Sequence, residues 1–243
     1  MATFKDIIDY DSAPLVQWEP AIGEAPSGGK IIEDDITHGA IARWLKRKKI
    51  SNVADLIADE ARLSLRVAQD NPKATIKHIT LSGTFEQAAR HNIAQSAVNN
   101  VEVITDIAPE LYGQQDAVVM NMILGCVATG QDQQNIGKLL NFARDLLKDD
   151  GSLVLIRPNP AGGAFTTYQC LTNTDDLKAG QDYDFMVTGL EEHGAMQNLY
   201  TPNTYLKNAF ADAGLKLGKT RGLGKHISGN GQPAFLMNIG RPI

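Results

Sequence analysis

Three groups of residues have the types and spacing for proton chemistry. Asp55, Asp59 and Glu60 crowd together at the end of an apolar run, residues 52–57 (NVADLI). Carboxylates this close can take a proton from an amine or hold its ammonium form, so Asp55 and Asp59 are candidate general bases. The same acids also suit the first turn of a helix, where the dipole favours negative charge. Glu191, Glu192 and His193 form the second group, joining carboxylates to an imidazole that titrates near neutrality. The third group is aromatic: Tyr10 and Trp18 in a proline-broken N-terminal stretch, and Tyr200 after the Glu-Glu-His cluster. Their rings could cover a ligand or simply pack. His78, inside the run 75–80 (TIKHIT), reads as a core or sheet-face histidine.

Other chemistries lack their residues. There is no nucleophile elbow and no phosphate-binding loop, and Gly222-x-Gly224 has no strand-to-helix context. The two cysteines, Cys126 and Cys170, are too few for a disulfide framework, and no Cys/His spacing resembles a zinc site. No metal is expected.

The elements that must hold these residues alternate. Apolar runs at 52–57, 75–80, 101–104, 116–124 and 152–156 read as buried strands. Between them, residues 133–148 place Ile136, Leu139, Leu140, Ala143, Leu146 and Leu147 on one helical stripe, and residues 202–213 do the same with Leu206, Ala209, Phe210 and Ala213. Thr201 is the expected N-cap there, Pro202 the first helical residue and Gly214 the stop. Residues 60–69 alternate with period two, yet the order of elements asks for a helix. Segments 215–217 and 233–239 suit a closing antiparallel pair. Strand, helix, strand in succession means an α/β fold with a mostly parallel sheet covered on both faces. Residues 1–50 form an N-terminal helical segment, broken by prolines and a Ser27-Gly28-Gly29 turn before a helix near 37–48. Residues 51–243 form the main domain, with an irregular insertion at about 157–200 where substrate contacts are expected.

Composition narrows the class. The chain has 243 residues, 43% hydrophobic and 21% charged, with 23 Lys and Arg against 28 Asp and Glu. The net charge of −5 argues against nucleic-acid binding driven by bulk charge. No apolar run is long enough for a membrane span, and the start lacks a secretory pattern. A cytoplasmic protein acting on a small molecule is expected, with a second copy or a partner protein as an open possibility.

Several stretches resemble the class I S-adenosylmethionine-dependent methyltransferases, in particular those acting on small molecules. They are residues 52–107, then DAVVMNMIL, then LLNFARDLLKDDGSLVLIRPNP, then LYTPNTYLKNAFADAGLKLG. The resemblance covers roughly four-fifths of the chain. It implies a doubly wound, Rossmann-like sheet of seven strands, mostly parallel with a reversed last strand, and a ligand crevice at the strands' carboxyl ends. It also implies cofactor contacts from Asp55, Asp106 and Asn121, with Thr80 able to make one hydrogen bond if the cofactor binds. The N-terminal segment, with Tyr10 and Trp18, would be a lid, and the insertion, with Glu192, His193 and Tyr200, would face the substrate.

The cofactor loop departs from that pattern. The three positions that are glycine in the family are Ile57, Asp59 and Ala61, and the acid expected after strand two is Thr80. Each loss costs about 1–2 kcal/mol through strain or a lost charged hydrogen bond. Four together cost about 4–8 kcal/mol, enough to empty a micromolar site. The leading expectation is therefore an enzyme without the cofactor, doing acid/base chemistry such as ring closure by internal displacement, with Asp55 or Asp59 as base. The first alternative is a methyltransferase with an atypical loop, in which S-adenosylmethionine binds and His193 or Glu192 deprotonates the acceptor. The second is a non-catalytic, methyltransferase-like partner subunit.

Overall fold

The computed structural model describes residues 28–56, 60–80, 83–126, 132–162, 168–171, 175, 177–179, 181–187, 196–228 and 231–243. Its strands are β1 (Asn52–Leu56), β2 (Thr75–Ile79), β3 (Val101–Ile104), β4 (Gln115–Asn121), β5 (Leu147–Pro158), β6 (Tyr168–Cys170), β7 (Asp182–Val187), β8 (Met196–Leu199), β9 (Leu215–Leu217), β10 (Arg221–Leu223) and β11 (Phe235–Pro242). Its α-helices are α1 (Gly28–Lys48), α2 (Arg62–Asp70), α3 (Gly83–Gln95), α4 (Asp132–Leu146) and α5 (Asn203–Asp212).

The main sheet runs β10-β11-β5-β4-β1-β2-β3, with β9 also paired to β11. Strands β5, β4, β1, β2 and β3 are parallel, and β11 is antiparallel to β5. The seven expected positions are present, but the last is shared. Strand β9 pairs with Gly240 to Pro242 and β10 with Phe235 to Met237, both antiparallel to β11. Gly218 interrupts this edge, and its amide bonds Ile239 O at 2.7 Å.

Apolar runs are continuous in the central strands because both faces are covered. On one face Ala54, Val118, Met120, Leu153 and Leu155 pack under Leu139, Leu140 and Ala143 of α4 and Leu206 and Phe210 of α5. On the other, Val53, Ile76, Val119, Val154 and Ile156 pack under Ile41, Ala42 and Leu45 of α1 and Leu63 and Val67 of α2. At the amino ends of the strands, Asp116 accepts hydrogen bonds from the amides of Ser51 (3.1 Å) and Asn52 (2.8 Å) and from Lys148 Nζ (2.5 Å). Burial pushes this carboxyl up, but Lys148 and the two amides together outweigh it and hold the group below its ordinary value. Among the described residues no helix is long and apolar enough to cross a membrane.

Several expectations need correction. The insertion is not wholly irregular, because β6, β7 and β8 form a separate three-stranded antiparallel sheet. Helix α1 begins at Gly28, so the Ser27-Gly28-Gly29 turn does not break the chain before it as expected. Strand β5 begins at Leu147, with a register shift opposite Gln115 and Ala117, so residues 147–151 extend the strand rather than precede it. Pro202 is the N-cap of α5 and has no side-chain cap bond, so the helix starts one residue later than expected. Gly214 takes φ +67°, the left-handed dihedral that ends the helix. Residues 60–69 do give a helix, α2.

Candidate functional site

The sheet register builds the site. Asp55 lies beside His78 and Val119, and Leu56 beside Ile79. Extending the β1–β4 register by one residue sets Leu56 opposite Met120. The next row therefore holds Thr80, one residue past β2, and Asn121 at the end of β4. The two residues stand two strand spacings apart, about 10 Å. By strand alternation, Asp55, His78, Thr80 and Asn121 share the face covered by α1 and α2. Four polar residues on this face, near the carboxyl ends of central parallel strands, lie where open α/β sheets bind ligands.

Two of these side chains carry unmet hydrogen-bonding capacity. Thr80 is 1% exposed, and its Oγ1 has no hydrogen-bond partner among the described residues. Asn121 Oδ1 is likewise buried without a partner among the described residues. A buried polar atom left in this state costs about 1–3 kcal/mol, so two on flanking strands point to a ligand with matching groups. The backbone beside Asn121 is also unusual. Met122 adopts φ +62°, and its amide bonds Ile156 O at 2.9 Å. Left-handed non-glycine residues concentrate where a site demands an uncommon chain path.

The other side of the crevice is the end of the β1–α2 connection. Ala61 is the N-cap of α2 and adopts φ 69°, ψ 16°. This is the third of the three positions where the resembled family has glycine. A left-handed dihedral, which glycine would permit freely, is here taken with a Cβ in place, at a cost of about 1–2 kcal/mol. The expectation that acids occupy the first turn of this helix is not met, because that turn contains none. Glu60 precedes the cap, and its carbonyl accepts a hydrogen bond from Asn92 Nδ2 of α3 at 3.0 Å.

Asp55 does not open onto this crevice as a solvated base would. It is 4% exposed, and its Oδ2 accepts a 2.7 Å hydrogen bond from Ser64 Oγ of α2. Ser64 Oγ also lies 3.0 Å from His78 Nδ1, and both residues are fully buried. His78 Nδ1 is 4.0 Å from Asp55 Oδ2. Helix α1 reaches the same region through Asp34, which lies 3.5 Å from Arg62 Nε and 3.5 Å from His38 Nε2.

The remaining candidates are dispersed. Asp106 is exposed, two residues beyond β3. Tyr200 follows β8, is half-buried, and packs with Met122 and Leu177 against the α1/α2 core cluster. Its amide bonds Gln181 O at 2.8 Å. Tyr10, Trp18, Asp59, Glu192 and His193 lie outside the described residues. Among the described residues no group of His, Cys, Asp or Glu is arranged to hold a metal.

Sequence reasoning missed Ser64 and Arg157. Ser64 sits in the segment whose period was ambiguous, and only the helix turns it toward Asp55. Arg157, at the end of β5, is 3% exposed and donates to Asn203 Oδ1 (2.9 Å) and Asn238 Oδ1 (3.4 Å). It ties the start of α5 to β5 and β11. An arginine in the apolar run LVLIRP was the available signal.

No protein-family model matches the sequence, and no curated protein matches it. Solved structures do. The CcbJ methyltransferase from Streptomyces caelestis is 15% identical, with a TM-score of 0.64 over 98% of this chain and 99% of that one. A glycopeptide N-methyltransferase, MtfA, solved with S-adenosyl-L-methionine, is 12% identical, with a TM-score of 0.61 over 84% of this chain and 93% of its own. CalO1, a methyltransferase in calicheamicin biosynthesis solved in its SAH-bound form, is 13% identical, with a TM-score of 0.54 over 85% and 53%. These identities speak to architecture. Sheet order, reversed strand and overall likeness together give this chain the fold of the class I S-adenosylmethionine-dependent methyltransferases.

Proposed function

We propose that this protein is an S-adenosylmethionine-dependent methyltransferase acting on a small molecule, with an atypical cofactor loop. The observation that carries this reading is Ala61. The sequence counted it as a lost glycine, yet its backbone takes the left-handed conformation that glycine most readily adopts. The orphaned Thr80 Oγ1 and Asn121 Oδ1 add support, because they offer hydrogen-bonding atoms at the ends of the two strands that flank β1. The relatives add support through their described activity, and two of them were solved with S-adenosylmethionine or its demethylated product.

When bound, S-adenosylmethionine supplies a methyl group made electrophilic by its sulfonium. The residues present fit such a ligand. Thr80 would bond a ribose hydroxyl, Asp106 would serve the adenine side, and Asn121 would accept from an N–H at the reaction centre. Asp55, already engaged by Ser64, would order the loop rather than exchange protons. His193 or Glu192 would take the acceptor's proton, and Tyr10, Trp18 and Tyr200 would enclose the substrate. The chain would then be a single main domain, with a lid formed by the part of residues 1–50 that precedes the core-packed helix α1, and would work in the cytoplasm. Ring closure by displacement has no comparable support, since of its two proposed bases Asp55 is buried and hydrogen-bonded and Asp59 lies outside the described residues.

The test is calorimetric titration with S-adenosylmethionine and S-adenosylhomocysteine, for the wild type and Thr80→Val. Wild type binds at micromolar affinity. The valine, close in shape, removes one hydroxyl bond worth about 0.5–1.5 kcal/mol. It therefore weakens binding about two- to tenfold, while fold stability is unchanged or rises. No wild-type binding up to millimolar ligand would sink the proposal.

A further inference from the structure

Charge is unevenly spread along the chain. Residues 36–54 contain five Lys and Arg and residues 213–243 another five, and neither stretch contains an Asp or Glu. The rest of the chain holds 13 Lys and Arg against 28 Asp and Glu. The fold brings the two stretches to one face. The first closes α1, with Arg43, Lys46, Arg47, Lys48 and Lys49 all exposed. The second supplies β9, β10 and β11 at the edge of the main sheet, and α1 packs against β10. Arg221 stands opposite Met237, which belongs to the core cluster under α1. By alternation Arg241 lies on that face as well, and Lys216 stands directly opposite Arg241. All three strand cations are exposed.

Among the described residues nothing balances these eight cations. Arg66, Lys77, Arg90, Arg144 and Lys148 each lie against a carboxylate. No ion pair among the described residues includes any of the eight. Two features even oppose folding. Like charges directly opposite on antiparallel strands, as at Lys216 and Arg241, are destabilising. Lys49 takes φ 55°, the left-handed position after a helix that glycine fills without strain. One sign of charge, concentrated on one face despite these costs, suits a surface that meets the opposite sign.

We propose that the end of α1 and the β9–β10–β11 edge together dock a partner protein through an acidic surface of that partner. A compact acidic protein fits this face better than an extended polyanion does. Beyond the patch, the acid-rich remainder of the chain repels a nucleic acid or an anionic membrane within a screening length of about 10 Å. Trp44 and Phe235 are the Trp, Phe and Tyr residues of the two stretches, and both are buried, so neither can stack on a base. The inference does not depend on the cofactor reading.

The test uses the full chain and the fluorescence anisotropy of a labelled, glutamate-rich helical peptide. The wild type binds the peptide, and affinity falls about tenfold as salt rises from about 50 to 200 mM. Lys46→Glu with Arg47→Glu, and Lys216→Glu with Arg241→Glu, each weaken binding about tenfold or more, because both halves form one surface. Lys138→Glu with Lys207→Glu makes the same change in net charge at exposed positions of α4 and α5, on the opposite face. That variant stays within about twofold of wild type. Lys216→Glu alone turns a like-charge pair into an opposite one and raises the thermal midpoint at low salt, so its lost binding is not lost folding. Equal weakening by the α4 and α5 variant would reduce the effect to bulk charge and overturn the proposal, as would no binding by the wild type. Tighter binding of a single-stranded DNA or of phosphatidylglycerol vesicles than of the peptide would overturn the protein partner. A lower midpoint for Lys216→Glu would show these cations already compensated in the folded chain, and would remove the basis of the proposal.

Discussion

Replacing Ala61 by glycine isolates the strain stored at the crevice. Ala61 and Ala42 both bury their methyl groups completely, but Ala61 has φ 69° while Ala42 lies within the helix α1. Deleting either methyl forfeits about 0.8 kcal/mol of burial. Glycine in a helix interior costs about a further 0.5–1 kcal/mol in backbone entropy. Ala42→Gly should therefore destabilise by about 1.3–1.8 kcal/mol. Ala61→Gly bears similar losses but recovers about 1–2 kcal/mol of left-handed strain, leaving a net change near zero. Parallel urea unfolding, followed by far-ultraviolet circular dichroism, measures both. The two variants should differ by about 1–2 kcal/mol, or about 2–8 °C in thermal midpoint for a chain of this size. Equal losses in the two would show that Ala61 is not left-handed in solution, and the argument for a preserved loop would go with it. The same variant should bind S-adenosylhomocysteine at least as tightly as wild type, since it relieves strain without removing a contact.

Three further outcomes follow from the packing. Asp116→Asn loses the Lys148 pair and part of the charge assistance to the Ser51 and Asn52 amides, at about 1 kcal/mol given partial solvent screening. Because the Asp116 pKa is depressed in the fold, its contribution is fully present above the unfolded carboxyl value near 4 and is lost as pH falls through the lower folded value. Urea midpoints recorded between pH 6 and 3 should thus fall less steeply in the variant. At Gly240 an added Cβ would sit 2.5 Å from Phe210 Cε1, so Gly240→Ala should destabilise by about 1–3 kcal/mol through overpacking between β11 and α5. A smaller loss would mean the ring yields freely. Arg157→Lys keeps the charge but cannot bridge Asn203 and Asn238 with one planar group, and should cost about 1–3 kcal/mol by chemical denaturation.

The sequence by itself determined the layering. Runs such as 152–156 are apolar without alternation because parallel strands bury both faces, and the stripes of α4 and α5 match one of those faces. That pattern depends only on residue period, so it is readable without coordinates. The insertion was not readable in this way: β6–β8 are three to six residues long, too short to leave a period. The site divided along the same line. Asp55, Thr80 and Asn121 were found because strand ends can be located from sequence, and the register then set Thr80 and Asn121 on either side of β1. What only the tertiary structure decided was the state of these groups. Ser64 turns toward Asp55 because a helix, not a strand, carries it, and it hydrogen-bonds a carboxylate that is buried in the fold. Ala61 takes a left-handed dihedral, which its residue type by itself disfavours. Residue type sets the cost of a conformation, but long-range contacts decide whether that cost is met.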